Sequence, residues 1–173
     1  MARPIQASIR TRAAEPASGD GVTEAEFREA MASWASGVAV VAAADGDDVE
    51  AITATAFTPL SADPPLVLVC LGTDAAVLYV LEDAGRFTVN VLGRDDRRAA
   101  SAFAQRMGAE PGRWAPGADP VLAGALVSLV CRLRETHPGG DHRIVVGEVE
   151  RVVLGEPDAD PLLYFRREYR TLG

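Results

Sequence analysis

The chain has 173 residues, 48% hydrophobic and 24% charged, which suits one globular domain with its own core rather than two. The formal net charge is -8, from 17 Lys and Arg against 25 Asp and Glu. That balance argues against nucleic acid and against anionic membrane surfaces as partners, because both need a clustered basic surface. It leaves room for a phosphorylated cofactor, which needs only local donors.

Residues 1–22 are rich in Ala, Arg, Pro, Ser and Gly without periodicity and read as a disordered tail ahead of a single domain at 23–173. Arg3, Arg10 and Arg12 lead into no apolar core, so no secretory signal is expected. No apolar run reaches the roughly eighteen residues of a membrane span, and the expected compartment is the cytoplasm. Thr23 and Glu26 have capping-box spacing, and Phe27, Met31 and Trp34 follow at helical intervals, with Gly37 expected to end that helix.

From Gly37 the pattern changes to strands. The run GVAVVAAA is followed by the hairpin-type turn Asp45–Asp48 and a second strand over Val49–Ala56. Pro64 and Pro65 break the chain before a buried third strand, Leu66–Leu71. Thr73 is expected to cap a short helix through about Glu82, closed by Gly85. Phe87–Leu92 reads as a fourth strand. Asp95–Arg106 reads as a helix with Ala99, Phe103 and Ala104 inward, and Glu110–Pro120 as a loop around Trp114. Two long strands, Ala125–Glu135 and Arg143–Val153, are joined by THPGGD; a turn at Pro157–Pro161 and a short last strand, Leu162–Phe165, complete the chain. Strands not interleaved with helices disfavour a doubly wound parallel sheet. The expected fold is mainly β, a closed or split antiparallel barrel with peripheral helices.

Several chemistries lack their residues. There is no G-x-G-x-x-G after a strand, no Walker A loop and no G-x-S-x-G elbow. A metal site would have to use His137, Asp141 and His142, without a helical HExxH or paired cysteines, so none is expected. Cys70 and Cys131 sit in apolar runs and read as buried free thiols.

Three segments carry chemistry. In Thr53–Ser61 (TATAFTPLS), small side chains let a planar ligand lie close to the backbone while hydroxyls and amides donate to its edge; Phe57 and Leu60 can supply apolar contact. The same residues also suit a plain strand-end turn. Gly139–His142 (GGDH) is either a flexible loop holding a His near a ligand face or an ordinary hairpin turn with an exposed His. Tyr164–Arg170 (YFRREYR) alternates aromatics with Arg, either to stack on and pair with a cofactor or as an edge strand on the core.

The order of these pieces resembles the flavin reductase-like family, with its FMN-binding split barrel. The match runs from about Phe27 to Leu172, through FREAMASWASGVAVV, AITATAFTPLSADPPLVLVCL, AGRFTVNVL, ASAFA, GGDHRIVVGEV and PLLYFRREYRTL. The resemblance implies a homodimer with flavin near the subunit interface. It implies that Thr53, Ala54, Thr55 and Ala56 line the isoalloxazine ring, with Pro59, Leu60 and Ser61 flanking the ring and ribityl chain. Ala102 and Phe103 would lie near the flavin, and Tyr169 would match an aromatic close to the site. Asp141 and His142 match a motif whose His meets the nicotinamide, so His142 is the residue expected to act in catalysis. At the phosphate end this chain has Gly72-Thr73-Asp74-Ala75-Ala76. Thr73 can donate to a phosphate there. Asp74 would repel one, leaving Arg86, Arg94 and the C-terminal arginines as alternative partners. The implied reaction is hydride transfer from NADH or NADPH to FMN or FAD, the rings face to face at about 3–3.5 Å. Reduced flavin would then go to a partner monooxygenase. A flavoprotein that keeps its flavin for a small substrate, and a non-catalytic flavin-binding module, are the alternatives.

Overall fold

A computed structural model describes residues 21–46, 48–105, 114–156 and 158–172. Thr23 caps α1 (Glu24–Met31): its hydroxyl accepts from the Glu26 N–H at 3.3 Å, and the Glu26 carboxylate accepts from the Thr23 N–H at 2.9 Å. Short β1 (Ser36–Gly37) leads into β2 (Ala39–Asp45) and its hairpin partner β3 (Asp48–Ala54). Then come β4 (Phe57–Ala62), β5 (Pro65–Gly72), α2 (Ala76–Ala84) and β6 (Arg86–Val91). A 3-10 turn at Arg94–Asp96 opens α3 (Arg97–Ala104). The long pair β7 (Val127–Gly139) and β8 (His142–Leu154) is followed by β9 (Leu163–Phe165) and β10 (Glu168–Arg170).

Seven strands make one antiparallel sheet in the order β3-β2-β6-β7-β8-β5-β4. Its two edge strands, β3 and β4, are consecutive in the chain and are joined by Thr55–Ala56 alone. The sheet must therefore curl until its edges meet, yet no ladder pairs β3 with β4. The result is a split barrel whose seam is crossed by a two-residue link. A second sheet, β1-β9-β10, flanks it.

β2 is buried on both faces, which is why its sequence is a continuous apolar run rather than an alternation. Ala39, Val41 and Ala43 face the barrel interior with Val69, Leu71, Phe87, Val89, Cys131 and Val145, and α2 plugs that core with Leu78 and Leu81. The interior is narrow: a Cβ at Gly147 would fall inside contact distance of the Phe87 ring and 3.0 Å from Cys131 Cβ. Val38 and Val40 face the other way, onto α3, Leu122 and Leu162.

The structure bears out a mainly β, antiparallel fold and corrects several boundaries. α1 ends at Met31 and Gly37 lies in β1, because the chain turns to pair with β9. The second strand stops at Ala54, and Phe57–Ala62 forms a strand of its own, with a bulge between Pro59 and Ser61. A proline and exposed polar positions hide that edge strand from an apolar-pattern reading. The chain turns at Asp63–Pro64, and Pro65 already belongs to β5. Ala75, without a side-chain bond, is the N-cap of α2 rather than Thr73, whose hydroxyl is spent elsewhere. Gly85 does close that helix, at φ 64. In α3 the inward residues are Ala99, Ala100 and Phe103, while Ala104 is exposed. The last strand is a hairpin, not a single segment. Residues 1–20, Arg106 and the start of the 110–120 loop lie outside the described residues.

Candidate functional site

The seam link opens onto a cavity of about 940 Å³, inside the roughly 300–1,000 Å³ range of ligand pockets. Its small-residue lining is Ala25, Ala32, Ser36, Thr55 and Ala56; its large walls are Phe27, Met31, Trp34 and Tyr164, with Arg28, Glu29 and Arg167 also lining it. α1 buries none of its residues. Phe27, Met31 and Trp34, read from sequence only as a helical stripe, remain 58%, 49% and 75% exposed. Large apolar side chains left open around a concavity mark a surface that another molecule covers.

β5 ties this cavity to the β7–β8 hairpin. The Cys70 N–H donates to the Ala56 carbonyl at 2.9 Å, and Gly72, two residues on, pairs with His142. Two strand residues advance about 7 Å, so the seam and the hairpin tip share one end of the barrel. GGDH is a tight turn rather than a flexible loop: Gly139 pairs with His142, and Gly140 takes φ 73 at the first turn position, as a type II′ hairpin turn demands. His142 Nδ1 lies 2.7 Å from Asp141 Oδ1, the imidazole being 47% exposed. The bond from His142 holds the Asp141 carboxyl below its ordinary range, followed by the His142 charge and, more weakly, that of Arg28 on the cavity wall. The Thr73 N–H and hydroxyl both donate to the Asp141 carbonyl, at 3.0 and 3.2 Å, and brace the turn.

The site residues expected from sequence divide into groups. Thr55 and Ala56 line the cavity; Thr73, Asp141 and His142 form the neighbouring hairpin end. Thr53 sends its hydroxyl to the Ala100 carbonyl at 2.7 Å and pins α3 to β3, while Ala54 is buried in the barrel core. Pro59, Leu60 and Ser61 lie along β4 and are not among the described residues lining the cavity. Phe103 is a core anchor against Trp114, ring centroids 5.7 Å apart, with Ala102 half-buried beside it. Tyr169 stands edge-on to Tyr164 at 5.5 Å, and burial pushes its phenol up.

Burial pushes the Cys131 thiol up to about 12, with Glu150 adding to it, so it stays protonated and inert at neutral pH. Cys70 is half-buried, its thiol also raised by burial. Among the described residues no group of three metal-ligating side chains converges. Arg86 and Arg94 are held by ion pairs, to Glu150 at 2.9 Å and to Asp160 at 2.9 Å. Arg86 pairs with Arg132, seven strand residues from the hairpin end of β7, so it stands about 20 Å from Thr73.

A split antiparallel barrel with an open cavity at its seam is the class of fold, and comparison with known proteins gives the family within it. A family model described as "Flavin reductase like domain" matches residues 31–173. The chain belongs to that family. It is 48% identical over 150 residues to the reductase component of 4-hydroxyphenylacetate 3-monooxygenase from Thermus thermophilus, covering 84% of this chain and 95% of the relative. It is 39% identical to an NADH-dependent flavin reductase from a Rhodococcus species, covering 87% and 88%. Among solved structures, the flavin reductase PheA2 superposes with a TM-score of 0.81 at 30% identity, covering 88% of this chain and 99% of that one. BorF, the flavin reductase component of a bacterial two-component tryptophan halogenase, gives 0.79 at 36% identity over 87% and 98%.

Proposed function

We propose that this chain is an oxidoreductase, an NAD(P)H-dependent flavin reductase that passes a hydride from reduced nicotinamide to FMN or FAD and supplies reduced flavin to a partner monooxygenase. The observation that carries the reading is the seam cavity. Small residues at Ser36, Thr55 and Ala56 leave backbone open beside the flat rings of Phe27 and Trp34 and the adaptable thioether of Met31, as a planar ring system requires. Relatives named as NADH-dependent reductases and as reductase components of monooxygenases support the same activity and favour NADH.

Bound flavin supplies the hydride acceptor. The chain's own residues bind, orient and exclude water. The Thr55 and Ala56 backbone and the Thr55 hydroxyl meet the polar edge of the ring, while Phe27, Met31 and Trp34 shield a face. Ionised Asp141 holds His142 through Nδ1 and leaves Nε2 for the incoming nicotinamide. Thr73 keeps that turn in place, and its hydroxyl reaches a phosphate only by releasing Asp141. A homodimer in the cytoplasm completes the proposal: with Trp34 75% exposed just beyond the end of α1, a second copy is the cover that the resemblance implies.

The assay mixes protein with NADH or NADPH and with FMN or FAD, and follows the nicotinamide absorbance. Turnover that depends on added flavin is expected; no turnover in any of the four pairings overturns the reading, and turnover without added flavin favours a flavoprotein that keeps its flavin. His142→Ala is expected to raise KM for NADH about tenfold, the scale of one charge-assisted hydrogen bond, at nearly unchanged flavin affinity. Lost flavin binding with unchanged nicotinamide dependence would sink the role given to His142.

A further inference from the structure

Next to the seam cavity lies a second concavity of about 410 Å³, between α3 and the β9–β10 hairpin. Three arginines line it, Arg97, Arg167 and Arg170, against one carboxylate, Glu168. A local excess of positive charge is unusual on a chain of net charge -8. Tyr164 and Arg167 line both cavities, so the two are continuous through these side chains.

The backbone at this junction is held in an unfavourable state. Arg166 and Arg167, at φ 51 and 63, make the two-residue turn between β9 and β10, where a glycine or asparagine is the usual occupant. Surrounding contacts hold it. The Arg166 N–H donates to the Ala32 carbonyl at 2.8 Å, and the Arg166 guanidinium lies 5.3 Å over the Phe165 ring. Arg167 pairs with Glu29 of α1 at 2.9 Å. Strain maintained in this way is a feature of binding sites. Here it presents Arg167 to both cavities.

The arginines are available to an anion. Arg167 and Arg170 are held by exposed pairs, to Glu29 and to Glu168, which contribute little in water and are readily exchanged. Arg97 gives one N–H to the Tyr169 carbonyl at 2.7 Å and is otherwise exposed. A planar guanidinium grips phosphate oxygens in pairs, and Tyr169, beside Tyr164, offers an aromatic surface for a base.

We propose that this groove is a binding subsite for the ADP half of a dinucleotide, Arg97, Arg167 and Arg170 taking the diphosphate while the redox ring occupies the seam cavity. The inference rests on the flavin reductase reading. Two ligands share this chemistry, the reduced nicotinamide dinucleotide and FAD, and truncated analogues tell them apart.

The test uses the full chain and the Arg97→Gln/Arg170→Gln double variant. Calorimetry with inorganic pyrophosphate needs no turnover: wild type binds it, the double variant binds at least tenfold more weakly, and Glu168→Gln binds more tightly. In kinetics, the double variant raises KM for NADH at least tenfold, with kcat and the KM for reduced nicotinamide mononucleotide unchanged, if the nicotinamide cofactor uses the groove. It weakens FAD at least tenfold and leaves FMN unchanged if FAD does. Either pattern supports the subsite. Unchanged NADH and FAD, or equal losses for the truncated ligands, overturns it. Pyrophosphate binding in a chain that turns over no flavin would fault the enzyme reading and leave the anion groove standing.

Discussion

On one side of the barrel, β6, β7 and β8 pair along their lengths. Thr88, Asn90 and Ser128 are fully buried behind them in a shared hydrogen-bond network. On the other side, the sheet edges are joined by Thr55–Ala56, and the cover consists of α1, which buries no residue, and a hairpin turned through two left-handed arginines. The closed side gathers the polar groups of Thr88, Asn90 and Ser128 into one internal network. The seam leaves backbone and apolar walls exposed around a cavity. A barrel that closed fully would have no such place. The rigid side fixes the frame, and the gap in the frame is where a ligand can meet the main chain.

The largest expected effect falls on the closed side. Asn90 Nδ2 donates toward the carbonyls of Val40 and Pro120 and the Thr88 hydroxyl, and its Oδ1 accepts from the Leu122 N–H at 2.8 Å and the Ser128 hydroxyl at 2.6 Å. Asn90→Leu strands both of those donors in a dry interior, at roughly 1–3 kcal/mol each. We expect a loss of about 3 kcal/mol in urea unfolding at unchanged m-value. A variant as stable as the parent would show that the polar node is dispensable.

The seam should behave in the opposite sense. Ala56→Leu adds bulk beside the cavity at an exposed position, where the stability change should stay within about 0.5 kcal/mol. Flavin affinity should fall about tenfold, near 1.4 kcal/mol, as read by flavin fluorescence titration. Unfolding of this variant, or undiminished flavin affinity, would break the contrast between the two sides.

Much of the frame was legible because apolar patterning reports burial. The double-sided run of β2, the strands around Val69 and Val89, and the capping box of α1 all stand where the residues suggested. What was not legible depends on tertiary pairing. β4 carries Pro59 and exposed polar groups, so its strand character comes only from the register with β5. Thr53 and Phe103 have residue types suited to a ligand, but one hydroxyl and one ring are taken by α3 and Trp114. The cavity role of Trp34 was hidden for another reason: its spacing from Phe27 and Met31 suits a helical stripe, yet α1 ends at Met31 and Trp34 lines the cavity from the segment beyond it.

The smallest expected effect concerns the most conspicuous decoration of the closed side. Across β6, β7 and β8 runs a ladder of ion pairs: Arg132 with Glu148 at 2.7 Å and Glu150 at 3.1 Å, Arg134 with Glu148 at 3.0 Å, Arg86 with Glu150 at 2.9 Å, and Arg151 with Asp119 at 2.7 Å. These arginines are about half exposed, and water screens them. Arg132→Thr, which keeps a strand-favouring residue, should therefore cost less than about 1 kcal/mol, and less again as salt is raised. Such a cost, beside that of Asn90→Leu, assigns the rigidity of this side to its buried node and packed strands rather than to its charges. A cost equal to that of Asn90→Leu and insensitive to salt would reverse the assignment and make the outer ladder the brace that holds the barrel open at its seam.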